Sequence, residues 1–326
     1  MTKATLFSAS ALKAEQKQNG MFHTPPELAR HIATYLPDNI EEVYDPAAGA
    51  GALLAAFPDH VRKYGQEIMP EAAQVAAALT NAHIEVGDTL EQDKFPGRKF
   101  PGIVANPPFS VKWRGTADPL FDERWEGVPC FPPPSKGDYA WLIHILSHLT
   151  PDGTAAVLMF PGILYRGQKE GVLREWLCRG GHIERVEHIP PDTFADTTIA
   201  TTLLVMRKER AERSITFADK HTGKEHTATL EEVEANDFTL SPNIYLPREE
   251  EAREPFDEVA VETERREHFE KQLRAHITYT RMLHEAFLPH LPTDRHFENL
   301  AKIIANAQNA QATRIFCRCK LVLRHT

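Results

Sequence analysis

The run GIVANPPFSVKW, residues 102–113, sets an amide, two prolines and an aromatic ring where a strand stops. Gly102 to Ala105 read as a buried strand end, and a proline cannot donate to a ladder. The Asn106 side-chain oxygen and the Pro107 carbonyl are two acceptors, while Pro107 and Pro108 remove competing donors and backbone freedom. A planar exocyclic amine has two hydrogens to give to such a pair. Accepting both would pull the nitrogen toward a tetrahedral form and release its lone pair for attack, and Phe109 offers a face to a planar base. The plainer reading is a proline-terminated strand with a buried phenylalanine.

Three upstream stretches supply a neighbour for that amine. In VYDPAAGAGALL, residues 43–54, a strand runs into a turn and then an expected helix. Gly49 and Gly51 admit conformations and approach distances that a Cβ forbids, so a ligand could lie against bare peptide there. The pattern is neither the G-x-G-x-x-G of dinucleotide binding nor a phosphate loop ending in G-K-[ST]. Roughly twenty residues on, GQEI puts Glu67 where a ribose diol needs an acidic acceptor. VGDTL then puts Asp88 where an adenine amino group could donate. Taken singly, Glu67 could equally cap the helix that starts at MPEAAQ, and Asp88 could be an ordinary turn aspartate. In a doubly wound sheet, however, successive strand ends line one crevice, and three together converge on a single ligand.

The elements that must position these residues are readable too. From about Glu41 to Lys208, β-branched runs such as EEVYDP, KYGQEI and GTAAVLMFP alternate with helical stretches such as PEAAQVAAALTNA and DYAWLIHILSHL. That alternation marks a mostly parallel sheet flanked by helices. HIERVEHIP and TTIATTLLVMRK follow without a helix between them, which suggests an antiparallel hairpin closing the sheet edge. Ahead of the first strand, HTPPELARHIATYL predicts a helix with Thr24 at the N-cap and Glu27 three residues later as a capping box. After Pro247 the pattern changes to a charged helix, with Val259, Phe269, Leu273, Ile277, Leu283 and Phe287 at roughly helical spacing.

Composition bounds the answer without choosing it. The 326 residues are 42% apolar and 25% charged, enough for a full core. No apolar run is long enough to span a membrane, and the first twenty residues lack the apolar core of a secretory signal, so a cytoplasmic protein without a membrane partner is expected. Cys130 and Cys178 stand alone and Cys317 and Cys319 form only a C-x-C, so no zinc ligand set is predicted and no metal is expected. A formal net charge of −9 argues against a nucleic-acid partner until its distribution is examined. Glu249 to Glu270 hold ten acidic and three basic residues, a net of −7, which leaves −2 for the rest.

NPPF, with DPAAGAG, GQEI and GDTL in this order and GMFHTPPELA before them, resembles the S-adenosylmethionine-dependent N6-adenine DNA methyltransferases, specifically the modification subunits of type I restriction–modification systems. The resemblance covers about Gly20 to Pro247. It implies a doubly wound, Rossmann-like class I methyltransferase sheet with one antiparallel edge strand and a helical C-terminal extension. The implied organisation is a short segment 1–20, a catalytic domain 21–247 and a charged extension 248–326.

The implied activity is site-specific transfer of a methyl group from S-adenosyl-L-methionine to the N6 amino group of a flipped-out adenine in double-stranded DNA. Met21, Phe22, His23, Thr24, Pro25 and Pro26 would contact the methionine end of the cofactor, and Asp45, Gly49, Ala50 and Gly51 would form its cradle. Glu67 would bind the ribose and Asp88 the adenine. Asn106, Pro107, Pro108 and Phe109 would hold the target base, a strategy of positioning and polarisation without a covalent intermediate.

The departures from the family pattern are specific. The usual D-P-A-C-G-S-G has Ala48 and Ala50 here, which keeps the turn but removes a hydroxyl. Typical members carry a long helical region before F-x-T-P, and here about twenty residues precede it. No target-recognition domain is evident, so specificity is expected from a separate specificity subunit, with a restriction subunit as a further partner, or to be slight in an orphan or mobile-element methylase. The C-terminal helix resembles those by which members meet the specificity subunit; folding back on the catalytic core is equally open.

Between Ser110 and Lys136 lies a proline-rich connection carrying Lys112, Trp113, Arg114, Arg124 and Trp125, a pattern suited to phosphate contact and base stacking. Asp118, Asp122, Glu123 and Glu126 dilute it. Two other functions compete. Protein-glutamine methyltransferases carry N-P-P-Y because a carboxamide also presents an NH₂, but Phe109 and the F-x-T-P segment speak against them. A catalytically idle partner-binding relative is opposed by the intact acids and asparagine.

Overall fold

Residues 24–115, 122–191 and 200–247 are described by the computed structural model, with scattered residues between 263 and 282. The strands are β1 (Glu42–Asp45), β2 (Arg62–Glu67), β3 (His83–Val86), β4 (Phe100–Ala105), β5 (Leu149–Met159), β6 (Ile183–Ile189), β7 (Thr201–Arg207), β8 (Ile215–Asp219) and β9 (Glu225–Ala228). They form one sheet in the order β3-β2-β1-β4-β5-β7-β6-β8-β9. Strands β1 to β5 pair in parallel, and β7 runs antiparallel between β5 and β6. The chain reverses its direction of growth between β1 and β4, the switch point at which an open sheet offers a crevice.

The α-helices between residues 24 and 247 are α1 (Pro26–Ala33), α2 (Pro70–Thr80), α3 (Asp138–His148), α4 (Lys169–Arg179), α5 (Leu230–Ala235) and α6 (Pro242–Tyr245), with 3-10 turns at Leu54–Ala56, Glu123–Trp125 and Pro161–Leu164. Side chains alternate across a strand. Val43, Val104, Ala156 and Leu158 therefore join α1 in one apolar layer, while Tyr44, Ile103, Ala105, Ala155 and Val157 join α3 and α4 in the other. Both sheet faces are covered, which explains the near-continuous apolar runs of the central strands. Helix α3 is buried along almost all its length, Tyr139 to Leu146 included.

The structure differs from the sequence-based expectation in three places. The β6–β7 pair is antiparallel as expected but lies inside the edge, because β8 pairs with β6 in parallel and β9 closes the edge antiparallel to β8. Buried Ile215 and Phe217 give β8 its apolar face. The helix after the glycine turn shrinks to one 3-10 turn, Leu54–Ala56, since Pro58 follows and disfavours helical backbone at Phe57. Thr24 does not cap α1: the N-cap is Pro25, with no side-chain bond. A full capping box exists instead at Thr229 and Glu232 on α5.

The chain divides into two compact units, Met1–Glu249 and Glu250–Thr326. In the second, described residues such as Phe269 and Met282 are helical and exposed. Val259, Leu273, Ile277, Leu283 and Phe287 lie outside the described residues.

Candidate functional site

The carboxyl ends of β1, β2, β3 and β4 open on one cavity of about 440 Å³. Its lining includes Thr24, Asp45, Gly49, Ala50, Glu67, Asp88, Asn106 and Pro108, residues drawn from five stretches of the chain. Pro25 and Pro26 start α1 and lie outside the lining, as do Gly51, Pro107 and Phe109. Met21, Phe22 and His23 fall outside the described residues.

The glycine turn is held open by backbone chemistry. Gly49 and Gly51 have φ of +52° and +85°, in the left-handed region that side chains disfavour. A Cβ on Gly49 would meet nothing within 4 Å, whereas one on Gly51 would lie 2.9 Å from Thr80 Cγ2 and 3.1 Å from the Ala76 Cα. Gly51 thus lets the turn press against α2, and Gly49 leaves bare peptide beside the cavity. The Gly49 amide donates to Glu67 Oε2 at 2.8 Å, and the Met69 amide donates to Oε1 at 2.9 Å. Glu67 therefore ties the turn to the start of α2, and each of its oxygens retains further lone-pair capacity toward the cavity.

Asp45 and Glu67 are both buried. Burial pushes the Asp45 carboxyl up to about 8, against the Ala47 amide bond that favours its charge, with nearby Glu67 adding to the rise. Burial also raises Glu67. Two acids held reluctant to ionise beside one cavity suit a ligand that brings positive charge and hydroxyl donors.

At Asp88, Oδ1 accepts from the Leu90 and Glu91 amides at 3.0 and 3.3 Å, which shapes the turn. Two features make this loop rigid and were illegible in the sequence. Buried Gln66 donates to the Gly87 and Gln92 carbonyls and accepts from the Lys94 amide. The Thr89 hydroxyl donates to the Pro46 carbonyl at 2.6 Å, joining it to the glycine turn.

Asn106 follows the last residue of β4, and its Nδ2 donates to Thr24 Oγ1 at 3.0 Å. With Nδ2 turned to that hydroxyl, Oδ1 is the acceptor end of the amide. The bond also explains why the threonine hydroxyl does not cap α1. Phe109 lies beside Phe160, with ring centroids 6.4 Å apart and planes tilted by 44°.

The connection after Phe109 does something other than expected with its aromatic and basic groups. Trp113 and Trp125 are buried and stacked at 5.2 Å, and Trp113, with Val111 and Lys112, forms part of the cavity wall. Arg124 is buried as well: it grips Asp122 and donates to the Thr89 and Leu90 carbonyls at 2.9 and 3.1 Å. These three residues are structural walls and ties and are unavailable for stacking on DNA; Arg114 remains largely exposed. Exposed Ile68, also in the lining, faces the same space. Asp93, His144 and His148 bring ligand-type atoms within 4.8 Å of one another. The His144 nitrogens already meet Arg124 Nη1 at 3.2 Å and the Tyr44 hydroxyl at 3.3 Å. A cation there would face the guanidinium's like charge.

The N-6 DNA Methylase family profile matches residues 6–227. Over 230 residues the chain is 32% identical to the type I restriction enzyme MpnII methylase subunit of Mycoplasma pneumoniae, covering 62% of this chain and 42% of that one. The HindI methylase subunit of Haemophilus influenzae is 26% identical over 297 residues, with coverage of 74% and 66%. The chain thus spans less than two thirds of these relatives' length. Among solved structures, the methyltransferase subunit of a type I restriction-modification system from Streptococcus thermophilus superposes with a TM-score of 0.63 at 27% identity, covering 69% of this chain and 59% of that one.

Proposed function

The chain belongs to the N-6 DNA methylase family, and from that premise we propose that it transfers a methyl group from S-adenosylmethionine to the N6 amino group of adenine in double-stranded DNA. The observation that carries the proposal is Asn106, held by Thr24 at the rim of a cavity that two buried acids and a bare glycine turn also line. The cavity suits the cofactor: its volume is in the range of small-molecule sites, Asp45 and Glu67 can answer a cation and a ribose, and Ile68 and Trp113 offer apolar walls to a base.

In this reading Gly49 and Ala50 cradle the cofactor, Gly51 lets their turn pack against α2, and Thr24 stands beside the methionine end. Asp45 completes the cradle, Glu67 accepts from the ribose and Asp88 from the adenine. Bound there, S-adenosylmethionine supplies an electrophilic methyl on a sulfonium sulfur. Asn106 Oδ1 and the Pro107 carbonyl accept the two N6 hydrogens of a flipped adenine, so that the nitrogen lone pair turns toward that methyl. Pro107 and Pro108 keep the acceptors still, and Phe109 stacks on the base. Catalysis in this reading is positional.

The proposed setting is a restriction–modification system in which a specificity subunit selects the DNA site and a restriction subunit cleaves unmodified DNA; an orphan methylase is the variant without them. The testing experiment incubates the purified chain with tritiated S-adenosylmethionine and unmethylated DNA, with and without a candidate specificity subunit. Label should appear as N6-methyladenine and fall about 100-fold or more in Asn106→Ala while cofactor binding persists. Label on protein, or none despite cofactor binding, would sink the proposal.

A further inference from the structure

Ser110, directly after the N-P-P-F run, has φ of +52°, a left-handed conformation uncommon for a residue with a side chain. Such a conformation persists only where its surroundings over-determine it. Here they do. The Ser110 amide donates to Asp138 Oδ1 at 2.7 Å and its hydroxyl to Oδ2 at 3.3 Å. Arg166 donates to the same Asp138 Oδ2 at 2.9 Å and to the Ser110 hydroxyl at 3.3 Å. Glu170 steadies the guanidinium from the next turn at 3.4 Å.

The clamp is centred on a buried acid. The Asp138 side chain is fully buried at the first position of α3, where the helix dipole favours a negative charge. Arg166 reaches it across Gly162, at which a Cβ would lie 2.5 to 2.7 Å from the guanidinium. The same guanidinium lies 5.9 Å from the centroid of Phe160, the ring beside Phe109. A buried ion pair is weak evidence for stability, since an apolar replacement is often as stable. Before Phe109 the backbone is stiffened by two prolines, and after it the Ser110 amide is pinned on Asp138, so the Phe109 backbone between them has little freedom and the direction in which its side chain leaves the chain is set.

We propose that Asp138, braced by Arg166, is a positioning residue: it pins the Ser110 amide in its left-handed turn and so fixes the Phe109 backbone from which the ring, paired with Phe160, faces the target base. This rests on the reading of the site as an adenine methyltransferase. Asp138 itself touches neither cofactor nor base. It acts through one backbone unit.

Glycine adopts positive φ without steric cost, which gives the idea a sharp test. The full chain is prepared as wild type, Asp138→Asn, Asp138→Ala, Ser110→Gly and the double variants. Asp138→Asn should lower kcat on adenine-containing DNA by about 100-fold, the size of a 1 Å misplacement. Cofactor affinity should stay within about threefold, because Asp45, Glu67 and Gly49 are untouched. Adding Ser110→Gly should restore kcat at least tenfold, roughly half of that loss on a logarithmic scale. Independently of activity, the Tm changes of Asp138→Ala and Ser110→Gly should be non-additive, with Asp138→Ala costing less in the Ser110→Gly background than in wild type. Wild-type kcat in Asp138→Asn, a loss that glycine fails to restore, or additive Tm changes would each overturn the clamp. A wild type that binds cofactor but never labels DNA would sink instead the functional reading on which the proposal rests.

Discussion

Thr24 and Asn106 are 82 residues apart, and their hydrogen bond is the smallest unit on which the site depends. Asn106 could present either end of its amide to a base, and with Nδ2 turned to the threonine hydroxyl Oδ1 is the acceptor end. Replacing Thr24 by valine keeps the shape and removes the acceptor. The expected cost is about 1 kcal/mol of transition-state stabilisation, roughly a fivefold fall in kcat, with a smaller change in cofactor affinity. Steady-state kinetics alongside cofactor titration would check the split, and equal losses in both would show that Thr24 serves the cofactor instead.

At the scale of elements, the site is an assembly of loops tied across strand ends. Arg124 fastens the connection after Phe109 to the Thr89 and Leu90 carbonyls, and Thr89 passes that tie to Pro46 in the glycine turn. Arg124→Ala would leave Asp122 the backbone amide of residue 124 but deprive it and two carbonyls of their guanidinium donor, in a largely buried setting. A loss of about 3 kcal/mol in stability is expected, together with weaker cofactor binding. Removing Asp122 as well should recover part of the stability but none of the binding, because the unpaired charge is gone while the loop stays untied. Denaturant unfolding and calorimetric titration of the single and double variants measure the two effects separately.

For the whole catalytic unit, stability should depend on ligand and on pH in directions the buried acids dictate. At a hundredfold excess over its Kd, S-adenosylmethionine should add about 2.7 kcal/mol. For a domain of this size that is a rise in Tm of roughly 5–10 °C by thermal scan. The Asp45 carboxyl titrates near 8 in the folded chain against an ordinary 3.8. Its protonated form is thus the one that folding favours. That contribution is fully present below pH 3.8 and is lost as pH rises through about 8. Asp45→Asn cannot lose a proton, so in cofactor-free protein the Tm of wild type minus that of Asp45→Asn should fall between about pH 5 and pH 8. A difference that stays flat over that range would mean that Asp45 is ionised throughout.

The sequence by itself determined the alternation of strands and helices, the parallel sheet and the order of the site's motifs along the chain, because periodicity and turn chemistry are local properties. Gly49, Glu67, Asp88 and Asn106 were legible for the same reason: each stands where a strand ends, and a doubly wound sheet puts those ends together. Thr24 was legible as a cap and proved to be a partner of Asn106, since its hydroxyl is free to choose between near and distant donors and only the fold brings the distant one close. Gln66 and Asp138 carried no local signal for their roles, because their partners lie 21 to 28 residues away. Arg124, Trp113 and Trp125 looked like a DNA surface until packing buried them. Which polar groups face a ligand and which hold the walls was decided by the tertiary structure alone, because burial and long-range pairing exist only once the chain has folded.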